Sequence, residues 1–240
     1  EAVALAPDDA DGHRKLGEMY RRRQDNEKAI SEFRAAITKN DRLYVVYFDL
    51  AELLLAKGQS EEADSLYRRV VRGCPDEELV ARAARLSMQV NLGKGTLENL
   101  ERELLPVALG HPQKSIYRKL LVDLYGAMAF PLVQKVRFGS PQEAKEARET
   151  LARIGTRAVK PLLDALGEDN QSQRMIAIEV LAFVENRSAA PALFNFATGQ
   201  ADQALRLRAM LACGALKDPA LIPRFKALLV PSKESPALIG

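Results

Sequence analysis

The chain has 240 residues, 47% of them hydrophobic and 28% charged, which is the composition of a folded globular protein and not of a disordered one. Lys plus Arg number 35 and Asp plus Glu 32, so the net charge is only +3, too small for a strongly basic nucleic-acid binder. With 2 His, 2 Cys and no Trp, a disulfide scaffold and a His-rich metal site lack the residues they need.

In chain order, the first signal is a repeat. Leu16-Gly17, Tyr20, Ala29, Phe33 and Ala36 return 34 residues later as Leu50-Ala51, Leu54, Ala63, Tyr67 and Val70. Small residues stand where two helices must approach closely, and large ones fill the space between. Asp25 and Ser60 are predicted to cap the second helices. Gly58 falls in a turn, where a positive φ suits glycine. Two units cover residues 10–43 and 44–77. A degenerate third spans 78–110, with Ala81, Ala84 and Met88 in register but Glu101 where an aromatic belongs. Residues 1–9 align with the end of a preceding second helix, which predicts that the chain is a piece of a longer protein.

Beyond residue 110 the period changes. Pro131, Pro161, Pro191 and Pro223 are spaced by 30, 30 and 32 residues. Ten residues before each stand Leu121, Leu151, Leu181 and Cys213; five after stand Val136, Leu166, Phe196 and Leu228. Four hairpins are predicted, at about 112–139, 141–169, 170–200 and 202–231, each with its proline in the first turn of the second helix. No stretch alternates apolar and polar residues as a strand would.

The first pattern, Leu-Gly…Tyr…Ala…Phe…Ala…Pro at its 34-residue period, resembles the tetratricopeptide repeat. The second resembles the HEAT repeat in a short, bacterial form. Asp202, Arg206, Ala209, Leu216, Asp218 and Pro219 carry it best, while Ala144 replaces the expected Arg in an earlier unit. The fold implied is all-α: an α-solenoid, a right-handed superhelix of antiparallel helix hairpins, about three tetratricopeptide-like and then four HEAT-like.

These resemblances imply a non-catalytic scaffold or adaptor that binds a partner protein or peptide on its concave face. In tetratricopeptide arrays the first helices line that groove, which places Arg14, Glu18 and Arg21, then Val45, Phe48, Glu52 and Leu55, then Leu79, Arg82 and Gln89 there. Phe48 reads either as an exposed apolar anchor or, equally, as a residue packed against the neighbouring helix. Glu18 and Asp49 stand where the family's best-known groove uses Asn to clamp a carboxylate terminus, so that mode is not expected. In HEAT arrays the second helices form the concave wall, which implicates Lys160, Asp164, Asn195 and Arg224. The alternative is a nucleic-acid-binding module in the HEAT-like half, since residues 111–240 carry 18 basic and 12 acidic side chains. An enzyme built on HEAT-like repeats ranks last.

No catalytic set can be assembled. His13 reads as a packing residue and His111 as a solvated one. Gly93-Lys94-Gly95-Thr96 lacks the order and context of a phosphate loop and reads as a turn. Asn186-Arg187-Ser188 reads as a helix cap, Arg21-Arg22-Arg23 as a solvated helix end, and Glu61-Glu62 and Glu77-Glu78 as helix starts. Cys74 and Cys213 read as small apolar side chains of a reducing compartment, with cytoplasm the expected location. No metal, cofactor or membrane span is expected.

Overall fold

A computed structural model describes residues 9–92, 94–199 and 202–229. The expectations for residues 1–8, for Gly93 and for the close of the last repeat at 230–231 lie outside the described residues. Among those residues there are twelve α-helices and two short 3₁₀ turns, and no strand. The chain divides into two compact units, Glu1–Leu124 and Tyr125–Gly240. The division falls within a helix, later than the change of repeat type at residue 110.

In the first unit, α1 (Ala10–Arg22), α2 (Asn26–Lys39), α3 (Tyr44–Ala56), α4 (Ser60–Gly73), α5 (Glu77–Asn91) and α6 (Glu98–Gly110) form successive hairpins. Asp9, Asp25 and Asp76 accept hydrogen bonds from backbone N–H groups at the starts of α1, α2 and α5, satisfying donors that have no partner within the helix. The first two hairpin turns use the same device at equivalent positions: Gln24 and Gly58 adopt φ of 61° and 77°. Ser60 is not a cap. The cap position belongs to Gln59, which makes no side-chain bond, and the Ser60 hydroxyl instead accepts from the Lys94 ammonium at 2.9 Å.

The hairpins close on small residues. A Cβ at Gly17 would lie 2.5 Å from two ring carbons of Phe33, so only glycine admits that ring. Phe33, Ala29 and Ala36 are fully buried, and so are Ala51 and Ala63 in the next unit, beside a nearly buried Tyr67. Burying a ring of this size contributes about 2–3 kcal/mol. Tyr47, also buried, donates its hydroxyl to the Asp41 carbonyl at 3.0 Å, so its polar end is satisfied. The third hairpin departs from the template. Its turn is longer, running from Leu92 to Leu97, and Glu101 is buried where Phe33 and Tyr67 have rings.

A buried polar cluster joins the second and third hairpins. Asp64 of α4 accepts from Ser87 and Asn91 of α5, the latter at 2.7 Å, and from Arg68 at 2.8 Å. Asn91 also accepts from Thr96, which fixes the longer turn. Burial of the Asp64 carboxylate is tolerated because these donors replace water.

The helix α7 (Ser115–Phe138) carries the chain into the second unit, followed by α8 (Pro141–Ala165), α9 (Gln171–Phe183), α10 (Ala190–Gly199), α11 (Gln203–Leu216) and α12 (Ile222–Leu229). The hairpins expected at 170–200 and 202–231 are present, with Pro191 and Pro223 as the second residues of α10 and α12. Those expected at 112–139 and 141–169 are not: each is one continuous helix with Pro131 or Pro161 inside it. The reason lies in the turn residues. Both hairpins that form have a left-handed residue followed by a side-chain cap, Glu185 (φ 52°) with Asn186 and Lys217 (φ 50°) with Asp218. At the equivalent earlier positions stand Tyr125-Gly126, with no capping side chain, and Gly155-Thr156, where the Thr156 hydroxyl donates to the Arg153 carbonyl at 2.8 Å within the helix and caps nothing. Gly155 serves packing instead, because a Cβ there would meet Val184 at 2.9 Å.

A proline inside a helix removes a hydrogen bond and costs roughly 3 kcal/mol, while its loss from the unfolded chain's restraint returns less than about 1 kcal/mol. Pro131 is exposed, so little packing is lost with it. Pro131→Ala should therefore raise stability by about 2 kcal/mol in chemical denaturation. A neutral or destabilising result would mean that Pro131 starts a separate helix.

Candidate functional site

The first helices of the first unit bring several of the sequence candidates together. Arg14 and Glu18 of α1, Val45 and Asp49 of α3, and Leu79 of α5 line one cleft of about 390 Å³. The connections between hairpins complete it with Arg42, Leu43 and Pro75, and the first residue of α3, Tyr44, adds its ring. Sequence reasoning missed these four because it followed the middle turns of the helices and gave the inter-repeat connections and helix starts no role. Tyr44 pins one rim, its hydroxyl donating to the Gly73 carbonyl at 2.6 Å.

The charged candidates are mostly engaged with one another. Arg14 pairs with Asp11 at 2.6 Å and with Glu18. Arg21 spans two hairpins, donating to Asp49 at 2.7 Å and to Glu52 at 2.6 Å. Arg34 of α2 with Glu62 of α4 at 2.6 Å, and Lys57 at the end of α3 with Glu27 of α2 at 2.5 Å, make similar cross-repeat ties. Asp49 is the most constrained of these groups. Burial raises its carboxyl above the ordinary 3.8, and Arg21 opposes that rise. Arg42 differs from the others: it is exposed, and no carboxylate among the described residues lies within ion-pair distance of it.

Phe48 is not an exposed anchor; of its two readings the packed one holds. It is 5% exposed, with the Tyr67 ring centroid 5.9 Å away and the Arg82 guanidinium 4.4 Å above its face. The position turns inward because α4 and α5 both pack against that part of α3. The accessible apolar surface belongs to Val45, which is 58% exposed, and to the half-buried Leu79. Glu52, Arg82 and Gln89 are exposed and Leu55 is half-buried, but none of them lines the cleft.

In the second unit, Lys160 pairs with Asp164 at 3.1 Å along α8. Arg224 of α12 donates to Asn195 of α10 at 2.5 Å and lies over the Phe194 ring. His13 hydrogen-bonds Glu32 across the first hairpin at 2.7 Å, and His111 is exposed at the end of α6. Both cysteines are free and buried, and burial pushes the Cys213 thiol up to about 11. Among the described residues no group of three or more His, Cys, Asp and Glu gathers as for a metal ion, and no helix is long and apolar enough to cross a membrane.

Paired helices repeating at fixed intervals, joined through small residues, define an α-helical repeat protein. Family models make the repeat types specific: residues 46–81 match the tetratricopeptide repeat and residues 159–237 match HEAT repeats. The chain thus carries a tetratricopeptide repeat followed by HEAT repeats. The HEAT match covers the two hairpins that form and begins within α8, leaving α7 and most of α8 outside it. No curated protein matches the chain. Both repeat types are generally modules for protein interaction.

Arg21→Ala should cost about 1 kcal/mol or less at neutral pH, since its ion pairs are partly exposed. Asp49 has a raised folded-state pKa, so its contribution to stability is full below 3.8 and is lost as pH rises through the folded value. Removing Arg21 moves that value higher. The stability deficit of the variant should thus be present at pH 7 and vanish below the ordinary carboxylate range, as read by urea denaturation across pH. An equal deficit at all pH would show that Arg21 does not hold Asp49 ionised.

Proposed function

We propose that the chain is a non-catalytic interaction scaffold whose first tetratricopeptide-like hairpins receive a peptide segment of a partner protein in the Arg14–Val45–Leu79 cleft. The observation that carries this reading is the pairing of charges around an exposed apolar floor. Arg14, Glu18, Arg21 and Asp49 neutralise one another, so Val45 and Leu79 are left to give binding energy, with Arg42 to orient a charged neighbour. A peptide with one apolar anchor and mixed charge fits that surface. A carboxylate clamp does not, because Arg14 is already paired with acids and Asp76 adds a further carboxylate to the lining.

The nucleic-acid alternative has one short basic run to support it. Along α8, Lys145 and Arg148 are interleaved with Glu143, Glu146 and Glu149, and then Arg153, Arg157 and Lys160 share one exposed face, with Lys160 paired to Asp164. Three cations on one helix face neutralise fewer phosphates than a nucleic-acid interface needs.

Panning a displayed random-peptide library on the full chain tests the proposal. Selected peptides should share an apolar residue, and Val45→Asp combined with Arg14→Glu should weaken them at least about tenfold without lowering the melting temperature. Binders that are indifferent to both substitutions would remove this cleft from the function.

A further inference from the structure

The second unit contains a groove that the repeat resemblances do not account for. It lies among the end of α7, α9 and α11, and its volume is about 430 Å³. The gap exists because Ala182, Ala212 and Ala215 leave the space between α9 and α11 unfilled. Around them the floor is apolar, with Phe130, Val133, Ile178 and Phe183. Leu211 lines it while 60% exposed, and Leu207, one turn earlier on α11, is 59% exposed. Single exposed leucines are ordinary, but a pair on one helix face beside an open groove is a contiguous apolar surface of the kind used for docking.

The rim is predominantly cationic. The Arg137 guanidinium is held over the Phe183 ring, 5.4 Å from its centroid, and no carboxylate among the described residues lies within ion-pair distance of it. Arg208 lies 3.8 Å from Glu179, which is too long for a charge-assisted hydrogen bond. Among the described residues Glu179 is the one acid that lines the groove, against two arginines. Stacking on Phe183 fixes Arg137 in place before any ligand arrives, and that lowers the entropy cost of binding.

We propose that this groove is a second docking site, which takes an acidic peptide segment of a partner through an apolar side chain seated over Ala182 and Ala212 and a carboxylate on Arg137 and Arg208. The site is separate from the cleft of the first unit and uses first helices of the HEAT-like hairpins, not the second helices from which a concave wall was expected. An acidic segment is favoured over a basic one because the two arginines outnumber Glu179, and over a purely polar one because the floor offers it nothing.

The test is fluorescence anisotropy of the full chain with three labelled peptides of equal length, alternating Asp with Leu, Lys with Leu and Asp with Ser. The Asp/Leu peptide should bind, more weakly as salt rises, and at least about tenfold more tightly than the other two. Arg137→Glu and Leu211→Asp should each weaken it about tenfold, whereas Val45→Asp in the first unit should leave it unchanged. No binding of the Asp/Leu peptide, equal binding of the Lys/Leu peptide, or indifference to both groove substitutions would overturn the proposal. So would light scattering that shows a dimer of the wild-type chain dissolved by Leu211→Asp, since the groove would then be covered by a second copy. Loss of binding on Val45→Asp alone would assign the peptide to the first-unit cleft and overturn the second site.

Discussion

The distance between α1 and α2 at Gly17 governs what the first unit can be. With no side chain on one helix, the other inserts a whole phenyl ring, and the two backbones come close enough to form a hairpin with a single buried seam. The following hairpin repeats the arrangement with Ala51 and Tyr67. The second unit uses the same contrast in Gly155 against Val184 and in the buried Ala177 and Ala209. A hairpin alone cannot cover its apolar stripe, so each seam creates a face that only the next hairpin can cover. That requirement holds neighbouring helices together more than the surface ion pairs do, since exposed pairs contribute little individually.

The ion pairs matter in another way. Arg21, Arg34 and Lys57 each reach a carboxylate on a neighbouring hairpin, so opposite charges tie the repeats together. Other charges among the described residues stay unpaired, such as Arg42 in the cleft that Val45 lines and Arg137 in the groove that Leu211 lines. Each of these clefts combines an accessible apolar group with a cation free to meet a partner, which gives a surface selectivity.

Much of the architecture was legible in the residues. Gly17 and Phe33, Ala51 and Tyr67, the Asp25 cap and Gly58 in its turn all announced themselves through a fixed interval. The prolines were less dependable guides, because the same residue starts α10 and α12 and interrupts α7 and α8. What decides between those outcomes is the pair of residues that must turn the chain, Glu185-Asn186 and Lys217-Asp218, and an interval between prolines carries no information about them. The site was half legible. Arg14, Glu18, Val45 and Leu79 follow from helix phase, but the burial of Phe48 depends on where α4 and α5 pack, and the pairing of Arg21 with Asp49 and Glu52 crosses hairpins. The Asp64 cluster gave no signal, because Asp64, Ser87 and Asn91 are ordinary surface residue types until three helical positions coincide.

The most direct measurement is a double-mutant cycle between Gly17→Ala and Phe33→Leu, read by denaturant unfolding. Each substitution alone should destabilise by about 1–3 kcal/mol, the first by overpacking and the second by leaving a void. Together they should cost less than the two single changes added, by about 1 kcal/mol or more, because the smaller Leu makes room for the new methyl group. Strict additivity would show that the two positions do not meet and would contradict the close helix approach on which the hairpin stack is built.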